Sequence, residues 1–334
     1  MPELRKDPVL SRWVIISTER AKRPHDYKKE PEPKSGGTCA FCPGNESMTP
    51  SEIMAYREEG SQPNDSKWFL RVIPNKFPAL KIEGELEREG EGIYDKMTGV
   101  GAHEVIIETT KHDETLSTMS VAQFENVLWA YKQRTEDLKR DDRLRYVMVF
   151  KNHGFRAGAS LEHSHSQLIA LPIIPKTVME ELDGSKDYYH YKERCIFCDV
   201  VKQEIRDGVR VVAENTDYIV LCPFAARFPF EMWVMPKQHQ SAFEDIKTPD
   251  VALLAQLFSD VLKRLRVGMG DPAYNFFLHN SAFTDSNIPY YHWHFEIVPR
   301  ITRTAGFERG TGFYINPTPP EDSAKFLRDL ELAG

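Results

Sequence analysis

Residues 159–172 read ASLEHSHSQLIALP. Two histidines one residue apart lead into an apolar run, which predicts a β-strand. Alternate side chains of a strand share a face, so His163, His165 and Gln167 are expected to project together while Ser164 and Ser166 point the other way. A second such motif, HWHFE at 292–296, lies in the other half of the chain. Setting the halves side by side around the two motifs exposes a repeat. Each half opens on a cysteine pair, TCAFC or RCIFC, and runs through a β-rich stretch to a single histidine, His112 or His239. An amphipathic helix follows, SVAQFENVLWAYKQRTEDLKR or DVALLAQLFSDVLKRL, then a strand ending in asparagine, Asn152 or Asn280, then the HxH.

The intervals agree. His112 and His163 are 51 positions apart and His239 and His292 are 53 apart; Asn152 precedes His163 by 11 and Asn280 precedes His292 by 12. Between the cysteine pair and the single histidine the first half is longer, 70 positions against 41. An insertion containing WFLRVIPNKFPALKIEG and an acidic, glycine-rich loop, EGELEREGEG, accounts for the difference. The pattern predicts an α+β protein with an internal duplication, antiparallel sheets with packed helices, and a division into residues 1–185 and 186–334 near SKDYYHYKE.

The 334 residues are 41% hydrophobic and 28% charged, enough to bury a sizeable core. A net charge of -7 argues against nucleic acid or an anionic membrane as partner, while leaving room for a local basic pocket. No apolar run approaches the roughly 18 residues of a membrane span, and MPELRKDPVLSRW lacks the apolar core of a signal peptide. A cytoplasmic location is therefore expected.

Of five cysteines, four form two CxxC pairs, and Cys222 in IVLCPF reads as a small core residue. In a reducing compartment such pairs point to metal rather than disulfides. Two thiolates and two imidazoles suit tetrahedral zinc. The expected sites are Cys39, Cys42, His112 and His163, and Cys195, Cys198, His239 and His292, giving two structural Zn2+ per chain. At the second site His279 and His294 compete as ligands, with a carboxylate such as Glu180 or Glu181. If metal holds His163, then His165 is the free imidazole and the candidate nucleophile.

HSHSQ resembles the HxHxQ motif of the histidine-triad superfamily. With RAKRP at 20–24, the CxxC at 39–42, IPNKFPAL and the duplicated plan, the chain is similar nearly end to end to the galactose-1-phosphate uridylyltransferase family. The resemblance implies two fused histidine-triad-like domains, the first catalytic and the second degenerate, in a homodimer. It implies ping-pong exchange of a nucleoside monophosphate between UDP-glucose and a hexose 1-phosphate such as galactose 1-phosphate, through a nucleotidyl-histidine. His165 matches the family's nucleophile and Gln167 the glutamine on the transferred phosphoryl group. Ser160, Arg20 and Arg23 match phosphate contacts, Asn75 and Asn152 match nucleoside contacts, and Glu308 matches an acidic residue on the hexose, supplied across the dimer interface.

Three departures stand out. Ser164 replaces a common proline, Lys76 replaces a ribose-binding carboxylate after Asn75, and Tyr314 stands where a hexose-binding glutamine is expected. HSHSQ and the tail GFERGTGFYINPTPPED are closer to a branch that includes ADP-glucose phosphorylases, which makes adenylyl transfer to phosphate the alternative. Hydrolysis of the same intermediate, and a zinc-stabilised nucleic-acid module, are more distant readings. In the second HxH, Glu296 replaces the glutamine and Trp293 separates the histidines; a carboxylate there would repel a phosphoryl group.

Overall fold

The two HxH segments enter one sheet. The computed structural model describes residues 2–17, 37–284 and 287–332. Ten strands form an antiparallel sheet: β3 (Met54–Arg57), β4 (Trp68–Pro74), β7 (Ala102–Ile107), β8 (Tyr146–His153), β9 (His165–Leu171), β10 (Val211–Glu214), β11 (Tyr218–Leu221), β12 (Met232–Pro236), β13 (Tyr274–His279) and β14 (His294–Pro299). Their order is β10-β11-β12-β14-β13-β8-β9-β7-β4-β3. It reads as a mirror about the β13–β8 seam, with β9 matching β14, β7 matching β12 and β4 matching β11. The duplication read from the sequence is therefore a duplication of five-stranded halves, joined edge to edge.

In the second half β11, β12 and β14 are buried at every position, as strands covered on both faces are, whereas β8 and β9 of the first half alternate between buried and half-buried positions, as strands with one more open face do. On one face lie α1 (Val121–Leu138) and α4 (Thr248–Met269), packed on Val149, Leu168, Val220 and Phe295. Of the apolar stripes expected on the two helices, Phe124, Val127, Leu128 and Tyr131 of α1 are buried and Val121 is half-buried, and Val251, Leu254, Leu257, Val261 and Leu262 of α4 are all buried. Phe124 and Phe258 meet across the helix pair with ring centroids 5.3 Å apart. Cys222 is fully buried in this core. On the other face α2 (Lys176–Lys192) and α3 (Ile196–Asp207) cover the second half, burying Val178, Leu182, Ile196 and Phe197 against Tyr146, Ile219 and Met235. The expected division at residues 185 and 186 falls inside α2, whose helix runs on until Glu193 adopts φ 54°. Gly184 lets this helix press on the N-terminal segment, since a Cβ there would lie 2.1 Å from the Val9 carbonyl oxygen.

Two smaller sheets complete the fold. β1 (Glu3–Lys6) and β2 (Trp13–Ile16) pair with β15 (Tyr314–Asn316), and β5 (Arg88–Glu91) pairs with β6 (Tyr94–Met97). The last helices are α5 (Gly306–Thr311) and α6 (Pro320–Arg328). Three expectations are corrected. The acidic loop is in part a hairpin, β5–β6, turning at Gly92 with φ 62°. WFLRVIP belongs to β4 and has a counterpart in β11, so the insertion begins only after Pro74. The strand register opposes Asn152 to the position of His165 as it opposes His279 to His294, so His279, not Asn280, is the counterpart of Asn152.

Candidate functional site

Strand β9 starts at His165, so His163 stands just ahead of it rather than within it. The ring of His163 turns to the cysteine loop, with Nδ1 3.7 Å from Cys39 Sγ and 3.5 Å from Cys42 Sγ; His112 Nδ1 is also 3.5 Å from Cys42 Sγ. The four ligand atoms all lie within 4.8 Å of one another, and those of Cys195, Cys198, His239 and His292 do likewise. There, Cys198 Sγ is 3.5 Å from His239 Nδ1 and 3.7 Å from His292 Nδ1. A tetrahedral ion at ordinary metal–sulfur and metal–nitrogen lengths would set sulfur and nitrogen roughly 3.6 Å apart. The tautomers also fit: His163 Nε2 donates to Thr109 O at 2.7 Å, His239 Nε2 to Ile288 O at 3.0 Å and His292 Nε2 to Pro236 O at 2.8 Å. Each Nδ1 lone pair is thereby left for a metal. Both tetrads can hold a metal ion.

His165 and Gln167 share one face of β9, as the alternation requires, and Ser166 faces the helices. His165 is 7% exposed. Its Nδ1 donates to the His163 carbonyl at 2.8 Å, which leaves the lone pair on Nε2. Burial, then the Lys151 cation, lowers its pKa to about 4, so the ring is an unprotonated base at neutral pH. Phe41, between the two cysteines, packs edge-on against His165 at 5.3 Å between centroids. Gln167 Oε1 lies 2.9 Å from His103 Nε2. Asn75 follows β4 and its Nδ2 is 3.1 Å from the same nitrogen. A cavity of about 780 Å³ opens there, lined in part by Asn75, Lys76, His103 and Arg134.

The helix-facing side of the motif holds a buried ion pair. Lys151 Nζ donates to Glu108 Oε2 at 2.6 Å, to Ser164 Oγ at 3.1 Å and to the His165 carbonyl at 2.9 Å. Ser164 donates to Glu108 Oε2 at 2.6 Å, and Ser166 donates to its other oxygen. The two serines of HSHSQ thus anchor the histidine strand to a carboxylate that is itself fully buried.

The remaining expected residues fall unevenly. Asn152 is on β8, its Oδ1 accepting from Asn275 Nδ2 at 2.7 Å. Ser160 is exposed on the loop before His163. Glu308 caps its own helix α5, Oε2 accepting the Ala305 N–H at 3.0 Å, and makes no hydrogen bond to the His165 group among the described residues. Arg20 and Arg23 lie outside the described residues. Phe41, His103, Glu108 and Lys151 went unread in the sequence. A charge at an inward position of an apolar strand, as in HEVIIE and VMVFKN, was the available signal.

In the second half Trp293 and Phe295 take the places of Ser164 and Ser166, and aromatic packing replaces the ion pair. His294 Nδ1 donates to the His292 carbonyl at 3.2 Å, as in the first half. Its Nε2, however, is 3.4 Å from Glu181 Oε1, and its ring stacks on His279 at 4.7 Å. His279 bridges Glu181 at 2.8 Å and Glu296 at 3.2 Å, and Arg227 pairs with Glu296. Burial opposes charge on His279, but Glu181 and Glu296 outweigh it and raise its pKa to about 10. His279 and His294 therefore do not compete for the cysteine tetrad. With Glu181 they form a separate group whose ligand atoms also lie within 4.8 Å of one another, whereas Glu180 is exposed beside Lys176. No helix among the described residues is long and apolar enough to cross a membrane.

The sequence model of the family described as "Galactose-1-phosphate uridyl transferase, N-terminal domain" matches residues 1–175, and that of a domain of unknown function, DUF4921, matches 91–331. An ADP-glucose phosphorylase of Arabidopsis thaliana is 41% identical, over 99% of this chain and 93% of that protein. A galactose-1-phosphate uridylyltransferase of Thermotoga maritima is 28% identical over 99% of both. A crystal structure of an ADP-glucose phosphorylase from Arabidopsis thaliana with bound ADP-glucose superposes with a TM-score of 0.84 at 37% identity, over 99% of this chain and all of that one.

Proposed function

The chain belongs to the galactose-1-phosphate uridyl transferase family, and from that premise we propose that it moves a nucleoside monophosphate from a nucleotide-sugar to a phosphate-bearing acceptor by way of His165. The observation that carries this reading is the His165 tautomer: Nδ1–H is committed to the His163 carbonyl, and Nε2 keeps its lone pair. Nε2 forms the N–P bond in line as the P–O bond to the hexose 1-phosphate breaks, and the leaving phosphate takes that electron pair. Nδ1–H stays in place, so the ring charge is stabilised by the carbonyl. An acceptor phosphate oxygen then forms a new P–O bond, the N–P bond breaks, and its electron pair returns to Nε2.

For the nucleotide-sugar we favour ADP-glucose, with inorganic phosphate as acceptor. The relative with that activity is 41% identical and the uridylyltransferase 28%, and HSHSQ has serine where many uridylyltransferases have proline. The weight thus moves from uridylyl exchange between UDP-glucose and galactose 1-phosphate to its adenylyl alternative. In this reading Gln167 and Ser160 contact phosphoryl oxygens, and Asn75, which lines the 780 Å³ cavity, contacts the nucleoside together with Asn152. Zinc is the metal we assign to both cysteine tetrads. It would lock His163 and His292 in place and, having four protein ligands, would take no part in the transfer. A homodimer would bring the partner's tail, with its Glu308, to the hexose.

The test is incubation with ADP-glucose or UDP-glucose without acceptor, followed by mass spectrometry of the intact protein. An adenylyl increment, released as ADP on adding phosphate, is the expected result. A uridylyl increment released only by galactose 1-phosphate would restore the first reading, and no adduct with either would sink both.

A further inference from the structure

We propose that His103 is a positioning residue that turns the Gln167 amide so that its nitrogen, and not its oxygen, faces the transferred phosphoryl group. This deepens the nucleotidyl-transfer reading and rests on it. His103 lies on β7, its side chain on the same face of the sheet as Gln167: Val105 is opposite Gln167, and His103 is opposite Ile169. The backbone N–H of Ala79 donates to His103 Nδ1 at 3.1 Å. A nitrogen that accepts a hydrogen bond carries no proton, so the ring proton is on Nε2. That Nε2–H points at Gln167 Oε1, 2.9 Å away.

Asn75 cannot take this proton. Its Oδ1 already accepts the Phe77 N–H at 2.9 Å, which leaves its Nδ2, a donor, 3.1 Å from His103 Nε2. Two donors thus address the two ring nitrogens, and the one that decides the tautomer is the Ala79 backbone N–H, which cannot turn away, whereas the Asn75 amide makes a contact at Nε2 and no hydrogen bond. Gln167 is therefore the acceptor, and its carboxamide oxygen is held on the His103 side. The Gln167 NH2 leaves on the opposite limb of the planar amide, where it meets no acceptor among the described residues. Phosphoryl oxygens only accept hydrogen bonds, so the donor orientation stabilises charge there and the flipped one repels it. The two orientations have nearly the same shape and the terminal torsion is soft, so packing alone would leave both populated. The chain Ala79 N–H to His103 to Gln167 removes the ambiguity.

Two substitutions separate the parts of this device. His103→Asn keeps an acceptor for Ala79 but places nothing at the Nε2 position, whereas His103→Gln restores a donor there. The rate of adduct formation in a single turnover should fall about 10- to 100-fold in H103N, as when one charge-stabilising donor is compromised. The substrate KM and metal content should hold, and H103Q should recover most of the rate. In a Gln167→Ala background H103N should cost nothing more, because His103 acts only through Gln167. Losses that multiply in the double variant, or a loss confined to KM, would overturn the proposal while leaving nucleotidyl transfer intact. Failure of the unsubstituted protein to form any adduct would overturn the transfer reading and the proposal with it.

Discussion

One hydrogen bond and burial set the chemical state of His165. The bond from Nδ1 selects the tautomer, and burial keeps the ring unprotonated. With a pKa lowered from 6.5 to about 4, the proposed nucleophile stays unprotonated throughout the neutral and mildly acidic range. The rate of adduct formation, followed by rapid quench, is therefore expected to stay flat from about pH 8 to pH 5.5, against an unperturbed histidine that would titrate near 6.5. A fall centred near pH 6.5 would show that the ring is not shielded. Replacing His165 by Gly should abolish the adduct and leave metal content unchanged, because His163 and not its neighbour faces the thiols. An adduct persisting in H165G would point to another histidine. These proposed roles were readable from the sequence, since HxHxQ after a CxxC is a local pattern. The His103 contact was not, because a histidine in AHEVII has the same appearance whether it faces solvent or a glutamine.

At the scale of the element, the histidine strand is held from behind. Lys151 and Glu108 lie 43 positions apart on β8 and just past β7, and they meet under β9 with the two serines. Removing one partner strands a buried charge. Lys151→Met should therefore cost about 3–5 kcal/mol in denaturant unfolding, and adding Glu108→Gln should recover part of it. Equal stability of K151M and the parent protein would mean that water reaches the site. The second half needs no such pair, because Trp293 and Phe295 fill the same layer with Phe243 and Phe258. Helix α2 supplies a different control: it brings Glu181 to His294, which closes the position that stays open beside His165. Gly184→Ala, which drives a methyl into the Val9 carbonyl, should lower stability by about 1–3 kcal/mol. The helix itself was not read from the sequence, since VMEELDGSKDYYHYK carries a weak apolar stripe and a glycine, and the division between the halves was placed within it.

Across the whole molecule, the ten-stranded sheet makes one unit of two copies. β8 and β13 share a ladder of backbone hydrogen bonds, and α1 and α4 share one core. Loss of a metal from either half should then destabilise both. Cys39→Ser is expected to lower Tm while thermal unfolding remains a single transition by calorimetry and by circular dichroism, because structural metal binding is folding free energy. Two separated transitions would show that the halves fold independently.

What the amino-acid sequence determined alone was the duplication, the two cysteine–histidine tetrads and the candidate nucleophile of HxHxQ. Cysteine and histidine are scarce, their ligand chemistry is specific, and here they recur at matched intervals, so few pairings are open. Tertiary structure alone decided that the halves fuse at β8 and β13, that Glu108 and Lys151 brace the serines, that Glu181 covers His294 and that His103 turns Gln167. Those contacts join residues 43, 113 and 64 positions apart. They use glutamate, lysine and glutamine, residues that most often face water. Nothing in local periodicity separates a solvated carboxylate from a buried one: the difference is made by the strand that lies alongside, and that strand is chosen only when the sheet closes.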